Sequence, residues 1–551
     1  MPTRLIAEAV HIPTRDGVRL AADVLVPDDG LAHPALLVRT PYGRAGARTS
    51  FDPLTLLRAG WAVVTADTRG RGDSEGDPTM CVSELADGGD TLDWLIGQPW
   101  SDGRVAMTGT SYLGFTQWQA AASGRPALRA IAPCQAPVGR RDGWFYEGGA
   151  FLAMQAAVWG ASMAAQVPGI GGERYGQIAD LMRDPAALMR AAPASHPLLE
   201  HLPDYARWIR PDDADFWPRF DVSPAQQSLD VAGYHIGGWY DVFCETTIRG
   251  WRELRSNARS EANRRRQRLV IGPWPHGLFG QTHGDLDFTS EADFGIAGVG
   301  AELFSWLAAA VDDAETDGGV RVFIMGSNRW LELDDWPPPT TPLLLFPSDE
   351  GGLAAGPPSP GAHRWTHDPA DPVPTCGGRL LTLWRPLPGP YDQRDVERRP
   401  DVLAFTSPVL PDSLTVAGTV RLHARFASSA RSADLVAKLV DVHPDGRAIN
   451  VVDSVTRSSF RPGVAIEVVV DLGSVAHTFG PGHRIRLQVA SSNAPRFDPN
   501  PGTGAPLHEP GPGVRAEQEL HLGPTRLELP VLPAFAGATN SAAMNALTRR
   551  P

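Results

Sequence analysis

Ser111, Asp241 and His276 are the residues whose types and spacing point most directly to chemistry. A serine hydroxyl is a poor nucleophile at neutral pH until a histidine takes its proton and a carboxylate orients that histidine. Ser111 lies in Arg104-Val105-Ala106-Met107-Thr108-Gly109-Thr110-Ser111-Tyr112-Leu113-Gly114, where an apolar run breaks into a Gly-x-Ser turn. A helix-compatible segment, Phe115 to Ser123, follows. This is the layout of a nucleophile elbow, a strained strand-to-helix turn that lifts the hydroxyl clear of a sheet. The usual elbow reads G-x-S-x-G, whereas here position 113 is Leu and the glycine comes at 114. Gly-x-Ser is also a common turn, so the reading depends on partners. The apolar run Val231–Ile236 ends in Gly-Gly-Trp-Tyr-Asp, which sets Asp241 just past a strand. The run Arg268–Ile271 ends in Gly-Pro-Trp-Pro-His-Gly, which does the same for His276. Serine, acid, histidine is the chain order of elbow-type hydrolases. Two other histidines compete: His235 falls inside its strand, where it faces a packed layer, and His283 lies farther beyond the next one.

Acyl transfer also needs donors aimed at the developing oxyanion. The backbone N–H of Tyr112, the residue after the serine, is one. No His-Gly-Gly-Gly loop exists to supply the other, but Arg39-Thr40-Pro41-Tyr42-Gly43-Arg44 follows the strand that starts at Ala35. From there Tyr42 can donate its phenolic O–H or simply pack on the domain edge. The Gly-rich run Asp67-Thr68-Arg69-Gly70-Arg71-Gly72-Asp73-Ser74 lacks the features of a phosphate-binding loop. It reads as a loop ordered by Arg–Asp pairs.

These residues need a scaffold that gathers them at one edge. Residues 6–26 read as a hairpin turned at Asp16-Gly17. The continuous apolar runs Ala35–Val38, Ala62–Ala66, Val105–Met107 and Leu128–Ala132 have the pattern of strands buried on both faces. A helical pattern from Glu84 to Ile96 separates the second from the third. The alternation predicts an α/β domain with a mainly parallel sheet, whose ligands bind beyond the carboxyl ends of the strands. From about Gly143 to Leu229 the chain turns Ala-, Met- and Trp-rich and helical, which predicts an inserted cap. The α/β pattern then returns with Val231–Ile236, a helix from Phe243 to Leu254 and Arg268–Ile271. Beyond about Gly318, short alternating strands between Pro/Gly turns predict a β-sandwich of jelly-roll type. Val320–Met325, Leu343–Phe346, Val420–Phe426, Ala437–Val442, Ile466–Asp471 and Ile485–Val489 are its expected strands.

Composition narrows the function classes. A chain of 551 residues exceeds one ordinary core, so several domains are expected. A net charge of −13 without a long basic run argues against nucleic acid or an anionic membrane surface as partner. Phe151–Ala165, the most apolar stretch, is too short to span a bilayer. Met1–Leu20 lacks the regions of a secretory leader, so the cytoplasm is the expected location. Cys81, Cys134, Cys244 and Cys376 show no C-x-x-C spacing and fit buried thiols better than disulfides or a zinc site.

Together the motifs resemble the cocaine esterase / X-prolyl dipeptidyl peptidase family. The resemblance is carried by T-P-Y-G-R around Tyr42, D-T-R-G-R-G-D-S from Asp67, and Q-P-W-S-D-G-R-V-A-M-T-G-T-S-Y-L-G around Ser111. G-W-Y-D at Asp241, G-P-W-P-H-G at His276, Phe323–Gly326, Asp434–Asp445 and Ser491–Asn500 extend it over nearly the whole chain. It implies an α/β-hydrolase core over residues 1–142 and 230–317, a helical cap over 143–229 and a C-terminal jelly roll over 318–551. It also implies an oxyanion hole built by a tyrosine hydroxyl and a backbone amide, matching Tyr42 and Tyr112. No metal or organic cofactor is expected, the substrate is a small-molecule ester or amide, and a homodimer is the assembly considered.

For the acyl group, the resemblance points to Trp144, Trp159 and Phe243, and so to an aromatic or bulky apolar acyl group. Tryptophan in an apolar cap is as readily plain core. The family branches that act on free amino termini (X-prolyl peptidases, α-amino acid ester hydrolases and β-lactam acylases) need a carboxylate for the substrate ammonium. Asp142 and Glu147 flank Trp144 and are the candidates for that alternative, or ordinary solvated cap residues. The leading expectation is a serine hydrolase of carboxylic esters. A binding protein on an inactive scaffold is a third reading, which the intact set of site residues opposes.

Overall fold

In the computed structural model, residues 5–547 are described apart from 48–51, 168–171, 185–190, 223–228, 534–539 and positions 140, 220, 317, 383 and 510. Residues 1–4 of the stretch read for a leader, and parts of the expected cap, lie outside the described residues.

Consecutive apolar residues serve opposite faces of one sheet. Leu36, Val63 and Ala106 join one core layer, while their neighbours Leu37, Val64 and Met107 join the other. That is why these strands appear as unbroken apolar runs rather than as alternation. β1 (Leu5–Pro13) and β2 (Arg19–Pro27) form the expected hairpin, with Ile12 opposite Leu20. β3 (His33–Thr40), β4 (Ala62–Asp67), β5 (Ser101–Thr110) and β6 (Leu128–Cys134) follow, then β7 (Ala232–Tyr240) and β8 (Gln267–Pro275). With β9 (Gly319–Ile324) and β10 (Arg329–Leu333) they make one sheet in the order β1-β2-β4-β3-β5-β6-β7-β8-β9-β10. Strands β3 to β9 are parallel, with antiparallel pairings outside them. Helices α1 (Glu84–Ile96) and α2 (Tyr112–Ala122) cover one face.

The cap contributes α3 (Ala153–Ala165), α4 (Gly172–Arg183) and α5 (Pro203–Trp208), joined by a cluster of aromatic side chains. After β7 the chain enters α6 (Cys244–Asn257), on the same face as α1 and α2. Helix α7 (Val299–Val311) covers the opposite face through Leu303, Trp306 and Leu307.

One expectation needs correction. Val320–Met325 was expected in the C-terminal sandwich, but β9 pairs in parallel with β8, Leu269 opposite Val320, and carries β10 antiparallel. The first sheet therefore runs to Leu333, past the expected boundary after residue 317. Period-two alternation tells which side of a strand is buried and says nothing about which sheet buries it.

Two antiparallel sheets make up the C-terminal part. The larger orders β12 (Leu353–Ala354), β11 (Thr341–Pro347), β20 (Ala516–Val531), β15 (Leu414–Ser428) and β18 (Ile466–Phe479), with β13 (Ala362–His367) also on β20. The smaller orders β14 (Leu403–Thr406), β19 (Arg484–Ala490), β16 (Ser432–Val442) and β17 (Ala448–Ser459). Leu422, Val470 and Leu527 of one meet Leu435, Leu439 and Leu487 of the other in a core that continues into Trp239, Tyr240 and Phe323 of the first sheet. An ion-pair cluster within the sandwich holds the cap through a backbone hydrogen bond. Arg457 bonds Asp434 at 2.8 Å and Asp498 at 2.9 Å, and Asp498 accepts the Phe151 N–H at 2.9 Å. The motif residues Asp434 and Arg496–Asn500 thus serve this junction. The four cysteines are free thiols, and no helix of the described residues is long and apolar enough to cross a membrane.

Candidate active site

Ser111 has φ 64° and ψ −124°, a conformation that L-residues adopt only when their surroundings impose it. Its N–H donates to Cys134 O at 2.9 Å, and its own carbonyl accepts from Gly114 and Phe115 at 2.9 and 3.0 Å. The departure from G-x-S-x-G now has a steric reason. A Cβ on residue 114 would lie 2.4 Å from Ala136 Cβ, so the first turn of α2 requires glycine there. Leu113 instead packs against Val38 and Ala47.

Asp241 follows β7 directly and His276 follows β8, the adjacent strand. His276 Nδ1 lies 2.7 Å from Asp241 Oδ1, with Asp241 fully buried and the imidazole 11% exposed. Gly238 permits this approach of the two strand ends, since a Cβ there would sit 2.0 Å from Trp274 O. A histidine held at Nδ1 by a buried carboxylate presents Nε2 as a proton acceptor. The competing histidines are engaged elsewhere. His235 is buried against Gln267 at 3.0 Å and His283 bonds Gly280 O at 2.9 Å; burial lowers both rings to a pKa of about 4.

Tyr42 follows the end of β3. Its hydroxyl accepts the Trp159 Nε1–H at 3.2 Å and has Ser111 as a second hydrogen-bonding neighbour. Burial pushes the phenol up to about 12, against the opposing effect of those two contacts. It therefore stays a neutral O–H donor at ordinary pH. The Tyr112 N–H is in the first turn of α2, where amides have no intrahelical acceptor. Its side chain is anchored: the hydroxyl accepts from the Cys81 N–H at 3.0 Å and donates to Glu84 Oε1 at 2.9 Å, with Arg39 3.0 Å from Glu84 Oε2.

Trp144, Trp159 and Phe243 are buried and also border these groups. The Phe243 ring is 5.4 Å from His276 and 6.5 Å from Trp144; Trp144 is 5.7 Å from Trp159, whose indole reaches Tyr42. An aromatic chain thus links His276 to Tyr42 and Ser111. The carboxylates considered for an ammonium group are placed otherwise. Glu147 holds Arg496 through both oxygens, at 3.0 and 2.9 Å, and Asp142 pairs with Arg141 at 3.0 Å on an exposed loop.

The Gly-rich loop behaves as its composition suggested. Arg44 bridges Asp67, Asp73 and Asp23, and Arg69 pairs with Asp87 and Asp16.

Sequence reasoning missed Gln135 and the Glu84–Arg39 pair. Gln135, fully buried at φ 44°, donates to Pro275 O at 3.0 Å and accepts the Gly277 N–H at 2.7 Å, clasping the peptide on both sides of His276. Its only sequence signal is its place directly after β6.

Comparison with known proteins supplies the family. Residues 16–278 match the X-Pro dipeptidyl-peptidase (S15 family) model and residues 312–528 match the X-Pro dipeptidyl-peptidase C-terminal non-catalytic domain. The chain is 35% identical to cocaine esterase of Rhodococcus sp. (strain MB1 Bresler), over 96% of this chain and 98% of that one. Among solved structures, an aminopeptidase from the marine sediment archaeon Thaumarchaeota archaeon aligns with a TM-score of 0.81 at 25% identity, covering 96% of this chain and 97% of that one. An α-amino acid ester hydrolase aligns with a TM-score of 0.79 at the same identity and coverage. With that likeness running from one end of the chain to the other, the protein belongs to the cocaine esterase / X-prolyl dipeptidyl peptidase family and is a serine hydrolase.

Proposed function

We propose that the protein hydrolyses carboxylic esters with an aromatic or bulky apolar acyl group, through an acyl-enzyme on Ser111. His276 takes the Ser111 proton as the carbonyl is attacked and returns it to the departing alcohol. Asp241 orients the ring and stabilises the imidazolium. The Tyr42 O–H and the Tyr112 N–H hold the oxyanion, and water then releases the acid by the same steps. In this reading the first sheet with its helices is an α/β-hydrolase core, residues 143–229 are its cap and the two antiparallel sheets are a jelly roll. The substrate is a small molecule, and neither nucleic acid nor a membrane takes part.

The observation that carries the acyl preference is the contact of Phe243 with His276 and, through Trp144, with Trp159 beside Tyr42. Burying an aryl ring there contributes about 1.5–3 kcal/mol, on the order of 10–100-fold in kcat/KM over an acetyl ester. A panel of p-nitrophenyl acetate, benzoate and α-amino esters tests this. The benzoate should lead, and Trp144→Ala should erase its advantage. A lead for the α-amino ester would overturn the reading in favour of recognition of a free amino terminus. Both candidate carboxylates for such recognition already hold arginines, which supports the uncharged acyl group.

Tyr42→Phe removes one oxyanion donor and should lower kcat by on the order of 10²–10³ with little change in KM. Because the phenol is raised to about 12, its ionisation should produce no alkaline limb in the wild-type rate profile at ordinary assay pH. A kcat for Tyr42→Phe within threefold of wild type, on the order of 1 kcal/mol or less, would remove Tyr42 from the mechanism.

A further inference from the structure

At one end of the sandwich, three histidines converge on one buried carboxylate. Asp441 lies near the end of β16 and His443 just beyond it. Two residues apart on an extended chain, they turn to the same face. β16 pairs with β19 with Val442 opposite Arg484, so the same register carried one step further sets His443 opposite His483. Their imidazole centroids are 4.5 Å apart. His483 Nδ1 lies 2.8 Å from Asp441 Oδ1, and His443 Nε2 lies 3.8 Å from Oδ2. One donor atom from each of the three residues falls within 4.8 Å of the others. His477, from β18 in the facing sheet, approaches Asp441 Oδ2 to 3.0 Å with its Nε2.

We infer that Asp441, His443 and His483 form a binding site for a first-row divalent transition-metal ion, with His477 orienting the carboxylate from behind. Two imidazole nitrogens and one carboxylate oxygen are a borderline-soft donor set suited to zinc and its neighbours, whereas calcium takes six to eight oxygens. The His483 and His443 nitrogens approach different oxygens of the carboxylate, at 2.8 and 3.8 Å, so side-chain rotation must bring both to one oxygen at the ~3.3 Å that separates donors ~2.0–2.1 Å from a tetrahedral ion. The Asp441 side chain is 3% exposed, while His443 and His483 are 18% and 19% exposed, so an ion can enter from solvent and keep water in its open position. A hydrogen bond from a neighbouring histidine to a ligating carboxylate is the outer support that metal sites ordinarily have. The sequence carries no C-x-x-C or paired-histidine motif for this site, because strand register rather than chain spacing assembles it. The ion would clip β16 to β19, with His477 linking that edge to β18. This role is independent of the proposed ester hydrolysis.

Calorimetric titration of chelator-treated, full-length protein with Zn²⁺ is the test. One equivalent should bind, and Zn²⁺ should raise the melting temperature of the wild type by several degrees. His443→Ala, at a partly exposed turn where the fold should tolerate it, and His483→Gln should each weaken binding at least tenfold and abolish the thermal gain. His477→Gln should weaken binding by on the order of 10–100-fold. Co²⁺ in place of Zn²⁺ should give visible d–d absorption that both ligand variants lose. Failure of Zn²⁺ to bind stoichiometrically, or binding that survives both ligand variants unchanged, would overturn the site and leave a hydrogen-bonded Asp–His cluster.

Discussion

Replacing Ser111 with Ala should lower kcat by on the order of 10⁶ while leaving the protein folded. The substitution deletes the oxygen that forms the acyl bond, so His276 and Asp241 are left with no nucleophile to activate. What survives is the oxyanion hole and the binding pocket, which alone supply on the order of 10³–10⁴ over water. The backbone consequence is small. Alanine must take the same positive φ as serine, and the strain at 64° is imposed by bonds of the main chain to Cys134, Gly114 and Phe115. The substitution also forfeits the side-chain contact with the Tyr42 hydroxyl. Turnover of an activated ester and the melting temperature together separate loss of chemistry from loss of fold. A fluorophosphonate probe, mapped by mass spectrometry, should label the wild type at Ser111 and the variant nowhere. Undiminished turnover in the variant would end the proposed mechanism.

Much of this scaffold was legible in the sequence because burial on both faces leaves a continuous apolar run. β3 to β6 could be read directly, and α1 matches its helical pattern from Glu84 to Ile96 end to end. The placement of Asp241 and His276 followed from the same runs, since each ends β7 or β8 and a parallel sheet puts those ends side by side. Tertiary choices were not legible. Nothing local distinguishes β9 as an edge extension of the first sheet from a strand of the sandwich. Glu147 looked like a free cap carboxylate because its partner Arg496 lies 349 residues away. Gln135 and Glu84 escaped notice because neither residue type announces a positioning role, and their partners are brought by the sheet and by α2. Trp144 and Trp159 resist the choice between core and pocket for a physical reason: they are buried and also border the reacting groups.

Asp241→Asn separates orientation from nucleophilicity and should lower kcat by on the order of 10⁴. The carboxylate accepts the His276 Nδ1–H at 2.7 Å from full burial, and its Oδ2 has no hydrogen-bond partner among the described residues. A charge so poorly compensated gains most when His276 becomes imidazolium, which happens as Ser111 gives up its proton. Asparagine keeps the shape but removes that gain. If its amide nitrogen faces the ring, Nδ1 must become the acceptor and the proton moves to Nε2, where it can no longer take one from Ser111. Stability should respond in the opposite sense. Exchanging a buried charge for a neutral isostere relieves desolvation, so the melting temperature should hold or rise while kcat collapses. Fluorophosphonate labelling should remain at Ser111 and become slow. A fall in kcat matched by a fall in melting temperature would make Asp241 a structural residue, and a fall of less than tenfold would remove it from the mechanism.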